Sequence, residues 1–514
     1  MKVVTVAEMV AVEKRAEHEY GLASPTLMEH AGRSVAEAIQ ARLEGDVTGL
    51  NALVLAGPGN NGGDGRVAAR YLGEWGAHVA IYDWKSGQIE ANGCTGSVGD
   101  DLAGLHDVIE QVDVVLDALL GTGHARPLAP TMAEACALVA HERERRPDLY
   151  VVAVDLPSGL NADTGAVDPG ALAADLTVTL AYPKVGLLLF PGASYIGELQ
   201  VGSIGLPATM PVTAGLEMLD DELVGPTLLK RPLESNKGTF GKVLALAGSP
   251  HYIGAAYLVC GAAARIGAGL VTLATQPELA PFYATMLPEI TYTLLPPGSA
   301  TPEARAQSVL DQLDGYHSLV VGPGLGQSQA TATLLERLFA GLSALVPEQR
   351  PHLVVDADGL NNLAKLDHWW LRLPPGAILT PHPGEMARLR GGGPVSGGGP
   401  DRLTVIREAA RDWGHIIVLK GACTLIASPE GVVRINATPN PALATAGTGD
   451  VLAGTTAGLL AQGMAPFDAA CAAVYLHSLA GRRISAHLGD AGLLAGDMLA
   501  ELPLARQDVR DRQQ

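Results

Sequence analysis

Three aspartates of the first half stand where a short apolar run gives way to a glycine turn. They are Asp64 in Gly57-Pro-Gly-Asn-Asn-Gly-Gly-Asp-Gly65, Asp117 in Val115-Leu-Asp117-Ala-Leu-Leu-Gly121-Thr-Gly123, and Asp155 in Val154-Asp155-Leu-Pro-Ser158-Gly159. A lone acid at a strand end is usually a cap. Three acids, each beside a glycine turn, suit proton transfer or cation binding, because ligands of parallel α/β sheets collect at the carboxyl ends of strands. We therefore expect Asp64, Asp117 and Asp155 to converge on one crevice. The second half holds the longest motif, Ala444-Thr-Ala-Gly447-Thr-Gly449-Asp450-Val-Leu-Ala-Gly454. Small residues leading into a helix at about Asp450 would turn the Gly447–Gly449 N–H groups toward one anion. Asp450 beside them is suited to take a hydroxyl proton while those groups stabilise a transferring phosphoryl.

Gly57, Gly59 and Gly62 also satisfy G-x-G-x-x-G, with Asp83 closing the next strand, as in a dinucleotide fingerprint. Asp64 argues against that reading, since a carboxylate at the helix start would repel a pyrophosphate. Asn60, Asn61 and Asp64 instead bring together oxygens that suit a cation or a hydroxyl-bearing ligand. No G-x-x-x-x-G-K-[ST] occurs, which disfavours a P-loop enzyme.

The elements that must hold these residues alternate. Thr5 and Glu8 form a capping box, and Ser24-Pro25 opens a second helix as cap and first helical residue. Asn51–Ala56, His78–Tyr82, Val112–Leu116, Tyr150–Val154 and Leu176–Leu180 read as strands, with helices at Asp64–Trp75 and Pro130–Arg145 between them. This predicts parallel sheet covered on both faces. The rhythm breaks around 207–227, which places a domain boundary near 215. It resumes with Lys242–Ala247, Leu270–Ala274, Ser318–Val321, Leu353–Asp356, Ala377–Thr380 and His415–Leu419. Gly391–Pro400 reads as a mobile surface loop, and the halves share no repeat.

Composition excludes other classes. With 514 residues, 47% apolar, the chain can build more than one core. A net charge of −19 argues against wrapping nucleic acid or docking on anionic lipid. The five cysteines are scattered, with no C-x-x-C, so neither a disulfide framework nor a zinc site is expected. Charges interrupt the N-terminal apolar run too soon for a signal peptide, and no stretch is long enough to span a membrane. We expect a cytoplasmic protein. An acidic, aliphatic-rich chain is compatible with a homo-oligomer, the expected assembly, without demanding one.

At G-P-G-N-N-G-G-D-G and V-D-x-P-S-G the chain resembles the NAD(P)H-hydrate epimerases over about residues 1–215. The resemblance implies that Asn60, Asn61, Gly62, Gly63 and Asp64 line the substrate pocket and that Asn61, Asp117 and Ser158 bind K⁺. It implies further that Gly121, Thr122, Gly123, His124, Ala125, Arg126 and Pro127 form a loop over the substrate. Asp155 would contact the substrate and is the expected acid–base residue. The substrate would be NADH or NADPH hydrated at nicotinamide carbon 6, interconverted between R and S.

In the second half the Gly447–Asp450 motif resembles the anion hole and catalytic Asp of ribokinase-like folds. Asn236-Lys-Gly-Thr-Phe-Gly-Lys242, Gly248-Ser-Pro-His-Tyr-Ile-Gly254-Ala255, Gly322-Pro-Gly324-Leu-Gly326, Thr380-Pro-His382-Pro-Gly384-Glu385 and Val418-Leu-Lys420-Gly-Ala-Cys-Thr424 narrow the choice. Together they resemble the NAD(P)H-hydrate dehydratases over about 225–505. By that resemblance Ala255, Gly324, His382 and Asp450 touch the hydrated nucleotide, while Lys420, Gly421, Ala422, Cys423, Thr424 and Gly449 hold the adenine nucleotide. Cys423 departs from the small residue expected there. Hydroxide leaves poorly, so the enzyme would phosphorylate the C6 hydroxyl, with Mg²⁺ and with ADP (or ATP) as donor, and then expel phosphate.

The expected architecture is two three-layer α/β domains, Rossmann-like over 1–215 and ribokinase-like over 225–505. The resemblance thus implies a bifunctional repair enzyme, isomerase and lyase. Its competitors are a small-molecule hydroxyl kinase with a non-catalytic N-terminal binding domain, and a dinucleotide-dependent dehydrogenase built on Gly57–Gly62.

Overall fold

The computed structural model describes every residue except 93–101, 124–126, 298, 393–400 and 514. All but the first two residues of the Gly391–Pro400 loop thus lie outside the described residues. The chain divides into two compact units, one of residues 2–216 and one from 217 onward.

The first unit contains one sheet of β1 (Asn51–Ala56), β2 (His78–Asp83), β3 (Gln88–Asn92), β4 (Val114–Ala118), β5 (Tyr150–Val154), β6 (Leu176–Leu180) and β7 (Glu198–Gly202). The order is β3-β2-β1-β4-β5-β6-β7. The apolar run of β1 is continuous because both its faces are covered: Ala52, Val54 and Ala56 enter one core, Leu53 and Leu55 the other. From β1 the chain turns to β2 on one side and later to β4 on the other. That reversal opens a crevice at the carboxyl ends of β1 and β4.

In the second unit β8 (Lys242–Leu246), β9 (Leu270–Thr275), β10 (Thr291–Leu294), β11 (Ser318–Val321), β12 (His352–Val355), β13 (Ile378–Leu379), β14 (Ile416–Leu419), β15 (Thr424–Ala427) and β16 (Val433–Asn436) share a sheet. Their order is β16-β15-β14-β13-β12-β11-β8-β9-β10. The reversal here falls between β8 and β11. The helix Thr448–Ala461 is buried along nearly its whole length, against the helix Ile253–Arg265 among others.

Several expectations need correction. Neither sheet is purely parallel: β3 runs antiparallel to β2, and β14, β15 and β16 pair antiparallel in turn. β3, β15 and β16, with β7, β10 and a strand at Leu216–Met218 inside the supposed break, were not read from sequence. They are three to five residues long, and β3, β15 and β16 each follow a neighbour through a turn, so nothing in their spacing announces a separate element. Asp117 lies inside β4 rather than after it. Ser24 is not a cap: Ala23 holds the N-cap position of the helix Ser24–Arg42 and makes no side-chain cap bond. The Thr5–Glu8 capping box does form, with Thr5 N donating to the Glu8 carboxylate at 2.7 Å and Glu8 N to Thr5 Oγ1 at 3.2 Å. The helix expected to start at Asp64 starts at Asn60.

Candidate functional site

That early start follows from packing. A Cβ on Gly62 would lie 2.1 Å from the carbonyl oxygen of Gly57, so only glycine lets the turn wind directly into a helix. Asn60–Gly63 therefore form the first turn, and Asp64 falls one turn in, 7% exposed. Asp155, the first residue after β5, has φ +66°, a left-handed conformation unusual outside glycine. Its N–H still donates to Val178 O at 2.9 Å. Its carboxylate accepts from Leu180 N at 3.0 Å and pairs with Lys184.

Asn60, Asn61, Asp64, Leu119–Gly123 and Asp155 line one cavity of about 420 Å³, together with Glu13 and Lys184. Burial, then the charges of Asp155 and Glu13, push the Asp64 carboxyl up to about 8, with Lys184 opposing. Burial likewise raises Glu13. The expected convergence of three acids holds for Asp64 and Asp155 only. Asp117 is 1% exposed and does not line the cavity. Its carboxylate accepts from Ser158 N at 2.8 Å, Ser158 Oγ at 2.6 Å and Leu119 N at 3.3 Å. Asn61 joins this group by donating to Leu120 O at 3.0 Å, and Leu120 N donates to Ser158 Oγ at 2.9 Å. Asn61, Asp117 and Ser158 are thus brought together around Leu120. Burial pushes Asp117 up, and among the described residues no cationic side chain acts on it. Pro127 lines a neighbouring cavity, and His124, Ala125 and Arg126 lie outside the described residues. Gly63 packs its backbone toward Met28. Asp83, the fingerprint acid, is occupied by Arg66 and by Ser86, whose N–H donates to it at 2.7 Å.

Sequence reasoning missed Lys184 and Glu13. The signal for Lys184 was a lone cation in an otherwise uncharged run, Leu176–Gly197; Glu13, one turn of an amphipathic helix, carried none.

In the second unit Gly447 (φ +91°) is the N-cap of Thr448–Ala461, two residues earlier than the start read from sequence, and Asp450 sits in its first turn. His477 Nε2 donates to Thr448 O at 2.8 Å, and burial pushes His477 down to about 4, so the ring is neutral. Lys420, just past β14, places Nζ 2.8 Å from Asp356 Oδ1 and 4.0 Å from Glu385 Oε2. Burial works against its charge, but Asp356 and Glu385 outweigh it and raise it. A Cβ on Gly449 would lie 3.3 Å from Lys420 Nζ and 3.8 Å from Asp356 Oδ2, which ties the helix start to this cluster. Burial, then Asp356, push Asp450 up to about 7; burial takes Glu385 to about 7 as well. His382 caps the helix Pro383–Leu389, its Nδ1 accepting from Gly384 N at 3.0 Å, and remains exposed.

Gly324 (φ +66°) packs against the next loop so closely that a Cβ would lie 2.8 Å from that of Ala255, and Gly248 N donates to Pro323 O at 2.8 Å. Ala255 and Gly324 therefore adjoin. Of the residues assigned to the nucleotide, Lys420 and Gly449 belong to the charged cluster. Gly421 and Ala422 are exposed, Thr424 Oγ1 donates to Gly421 O at 3.1 Å, and Cys423 is 1% exposed. Its thiol is in the core, so backbone is what Cys423 can offer a ligand. Asp356 and Glu385 were not assigned roles from sequence; Val354-Val-Asp356-Ala-Asp358-Gly, a strand end with two acids and a glycine, was the available signal. Among the described residues no three His, Cys, Asp or Glu side chains form a preformed metal cage, no helix is long and apolar enough to cross a membrane, and the four described cysteines are free and buried.

Two family models match the chain, NAD(P)H-hydrate dehydratase over residues 243–504 and YjeF-related protein N-terminus over residues 24–186. The bifunctional NAD(P)H-hydrate repair enzyme Nnr of Moorella thermoacetica is 37% identical over 99% of this chain and 98% of that protein. Its namesake from Thermofilum pendens is 36% identical over 99% and 97%. A solved ribokinase-like superfamily protein from Enterococcus faecalis covers 58% of this chain and 98% of its own at 26% identity, with a TM-score of 0.50.

Proposed function

The chain belongs to the bifunctional NAD(P)H-hydrate repair enzymes, and we propose that its domains divide the repair, residues 1–215 as epimerase and 225–505 as dehydratase. Hydration at nicotinamide carbon 6 yields both R and S epimers. The first domain interconverts them, and the second returns the S form to NADH or NADPH. The fusion is chemically sensible, because a stereospecific dehydratase alone would strand the other epimer.

In the dehydratase, Asp450 takes the proton of the C6 hydroxyl as its oxygen attacks the terminal phosphoryl of ADP (or ATP). The N–H groups of Gly447–Gly449 meet the phosphoryl oxygens. Phosphate then leaves with the C6–O bonding pair as the ring nitrogen's lone pair forms the C=N bond, and loss of a C5 proton restores the dihydropyridine. The observation that carries this reading is Asp450 in the first turn of a helix whose glycine start adjoins the Lys420–Asp356–Glu385 cluster. Without a preformed protein cage, Mg²⁺ would be held chiefly by the nucleotide phosphates, with Asp356 and Glu385 the nearby carboxylates, and would offset phosphoryl charge. Ala255, Gly324 and His382 would contact the hydrated nucleotide, and Lys420–Thr424 with Gly449 the adenine nucleotide.

In the epimerase, Asp155 is the acid–base residue, and Asn60–Asp64 with Gly121–Pro127 would enclose the substrate. Asn61, Asp117 and Ser158 fit K⁺. They are hard oxygen donors gathered around one carbonyl, and among the described residues no cationic side chain acts on the buried Asp117 carboxylate. A bound K⁺ would supply the missing positive charge and fix the Leu119–Gly123 loop that lines the cavity. Free buried cysteines suit the reducing cytoplasm.

The test is absorbance at 340 nm on mixed R and S NADHX with ADP, Mg²⁺ and K⁺. Near-complete recovery of NADH supports both assignments. Recovery of the S fraction alone removes the epimerase assignment, and no recovery with ADP or ATP returns the second domain to the hydroxyl kinases.

A further inference from the structure

Inversion at one carbon has a two-sided requirement. Oxygen must leave from one face and return to the other, so a group that gives a proton is needed on one side and a group that takes one on the other. The first unit's cavity has that layout. The helix bearing Asp64 begins four residues after β1, and Asp155 follows β5 directly. β4 lies between, so the two strand ends stand about two strand spacings, ~10 Å, apart. Both side chains line the same cavity, with the loop Leu119–Gly123 after β4 between their strands.

The two carboxyls have unlike surroundings. Lys184 is 1% exposed, and its three N–H bonds have three acceptors: Asp155, Leu180 O at 2.8 Å and Thr179 Oγ1 at 3.3 Å. It has no hydrogen left for a substrate, and its charge lies on Asp155. Among the described residues Asp64 has no such partner in the cavity. The helix Val6–Tyr20 brings Glu13, Lys14 and Glu17 to the cavity and Ser24–Arg42 brings Met28 and Ala31, while the ends of β5 and β6 bring Asp155 and Lys184. Burial and the negative charges of Asp155 and Glu13 outweigh Lys184 there and keep the Asp64 proton in place at neutral pH.

We propose that Asp64 is the second acid–base group of the epimerase, opposite Asp155 across the reacting carbon, and that Lys184 is the positioning residue that fixes the Asp155 side chain by direct hydrogen bonding. This rests on the epimerase reading of the first domain. Asp64 gives its proton to the C6 hydroxyl; the C6–O bond breaks with its pair going to oxygen, and water leaves. The ring nitrogen's lone pair becomes the N1=C6 bond. A water on the Asp155 side then adds to C6, the N1=C6 pair returns to nitrogen, and Asp155 takes the surplus proton. The reverse epimerisation exchanges the roles, so no oxidant or reductant is involved.

The full-length protein is tested on R-NADHX without ADP, which silences dehydration, and epimers are separated by chromatography. Asp64→Asn should lower kcat at least ~100-fold with KM changed less than about threefold, and Asp64→Glu should restore part of the rate. Lys184→Met should slow turnover at least ~30-fold with KM changed less than about threefold, whereas Lys184→Arg should restore part of the rate. In water enriched in oxygen-18, the unmodified protein should place one solvent oxygen at C6 per inversion, faster than the uncatalysed control. Asp64→Asn within tenfold of the parent, Lys184→Met within threefold of it, or inversion with the original oxygen retained would each overturn the proposal. If the unmodified protein does not interconvert the epimers at all, the epimerase reading itself fails.

Discussion

Asp450→Asn should abolish dehydration while making the second unit more stable. Asparagine has the same shape, so the Gly447–Gly449 N–H groups and the Lys420–Asp356 pair remain in place. What goes is the proton acceptor, and general-base removal costs ~100- to 10,000-fold, or about 3–5 kcal/mol of barrier. Stability should move the other way. Burial and Asp356 raise the Asp450 carboxyl from its ordinary 3.8 to about 7. A carboxyl raised on folding contributes stability fully present below its unfolded value, and that contribution is lost as pH climbs through the folded value. Three pH units correspond to up to ~4 kcal/mol of strain at pH 8 that asparagine does not carry, shrinking to almost nothing near pH 4. The assays are NADH formation from S-NADHX at 340 nm and thermal unfolding at pH 4.5 and pH 8. The variant should show no dehydration, unaltered R-to-S conversion, and a midpoint raised by several degrees at pH 8 and much less at pH 4.5. A dehydration rate above a tenth of the parent would show that Asp450 is not the base. A midpoint lowered at pH 8 would show that its charge is compensated, and equal loss of both activities would refute the division of labour.

Replacing K⁺ by Na⁺ should slow epimerisation at least severalfold and leave dehydration unchanged, since Asn61, Asp117 and Ser158 all lie in the first unit; an unaltered rate removes the assignment. Gly62→Ala should cost the first unit about 1–3 kcal/mol in denaturant unfolding, because its Cβ would meet the Gly57 carbonyl at 2.1 Å; a neutral result would mean the turn relaxes freely. His477→Phe should raise the KM for ADP and destabilise by about 1–3 kcal/mol, because Thr448 O loses its donor and belongs to the peptide that carries the Gly449 N–H. An unchanged KM would show that this peptide holds its orientation unaided.

The glycine turns and the acids beside them were legible in sequence because they combine two rare local requirements, a close backbone approach and a charge at a strand end. Asp64, Asp155 and Asp450 were reached that way, and Lys420 by family resemblance. What escaped was set by tertiary packing. Nothing local distinguishes Asp117, which turns into a buried network with Ser158, from Asp155, which faces a cavity. The difference is two residues of register, since Asp117 lies in β4 opposite Ala153 and Asp155 follows β5. Glu13 reaches the cavity only because its helix lies across the strand ends. The antiparallel strands β15 and β16 look like any short β-branched run. Their direction is decided by a tight turn rather than by a crossover, and the turn's glycine at Gly431 is one among 62.

The two units arrive at the same electrostatic arrangement with different folds around it. In each, a lysine is set against one carboxylate at a strand end: Lys184 on Asp155 after β5, Lys420 on Asp356 after β12. In each, a second carboxyl, Asp64 or Asp450, is placed at a helix start where burial and the neighbouring acids outweigh that lysine and raise it toward neutrality. The consequence is that Asp64 and Asp450, each raised toward neutrality, can exchange a proton near pH 7 without a histidine in either role. In the proposed roles the sign of the task is then set by the group each one meets: a hydroxyl that must leave, or return, at Asp64, and a hydroxyl that must attack at Asp450.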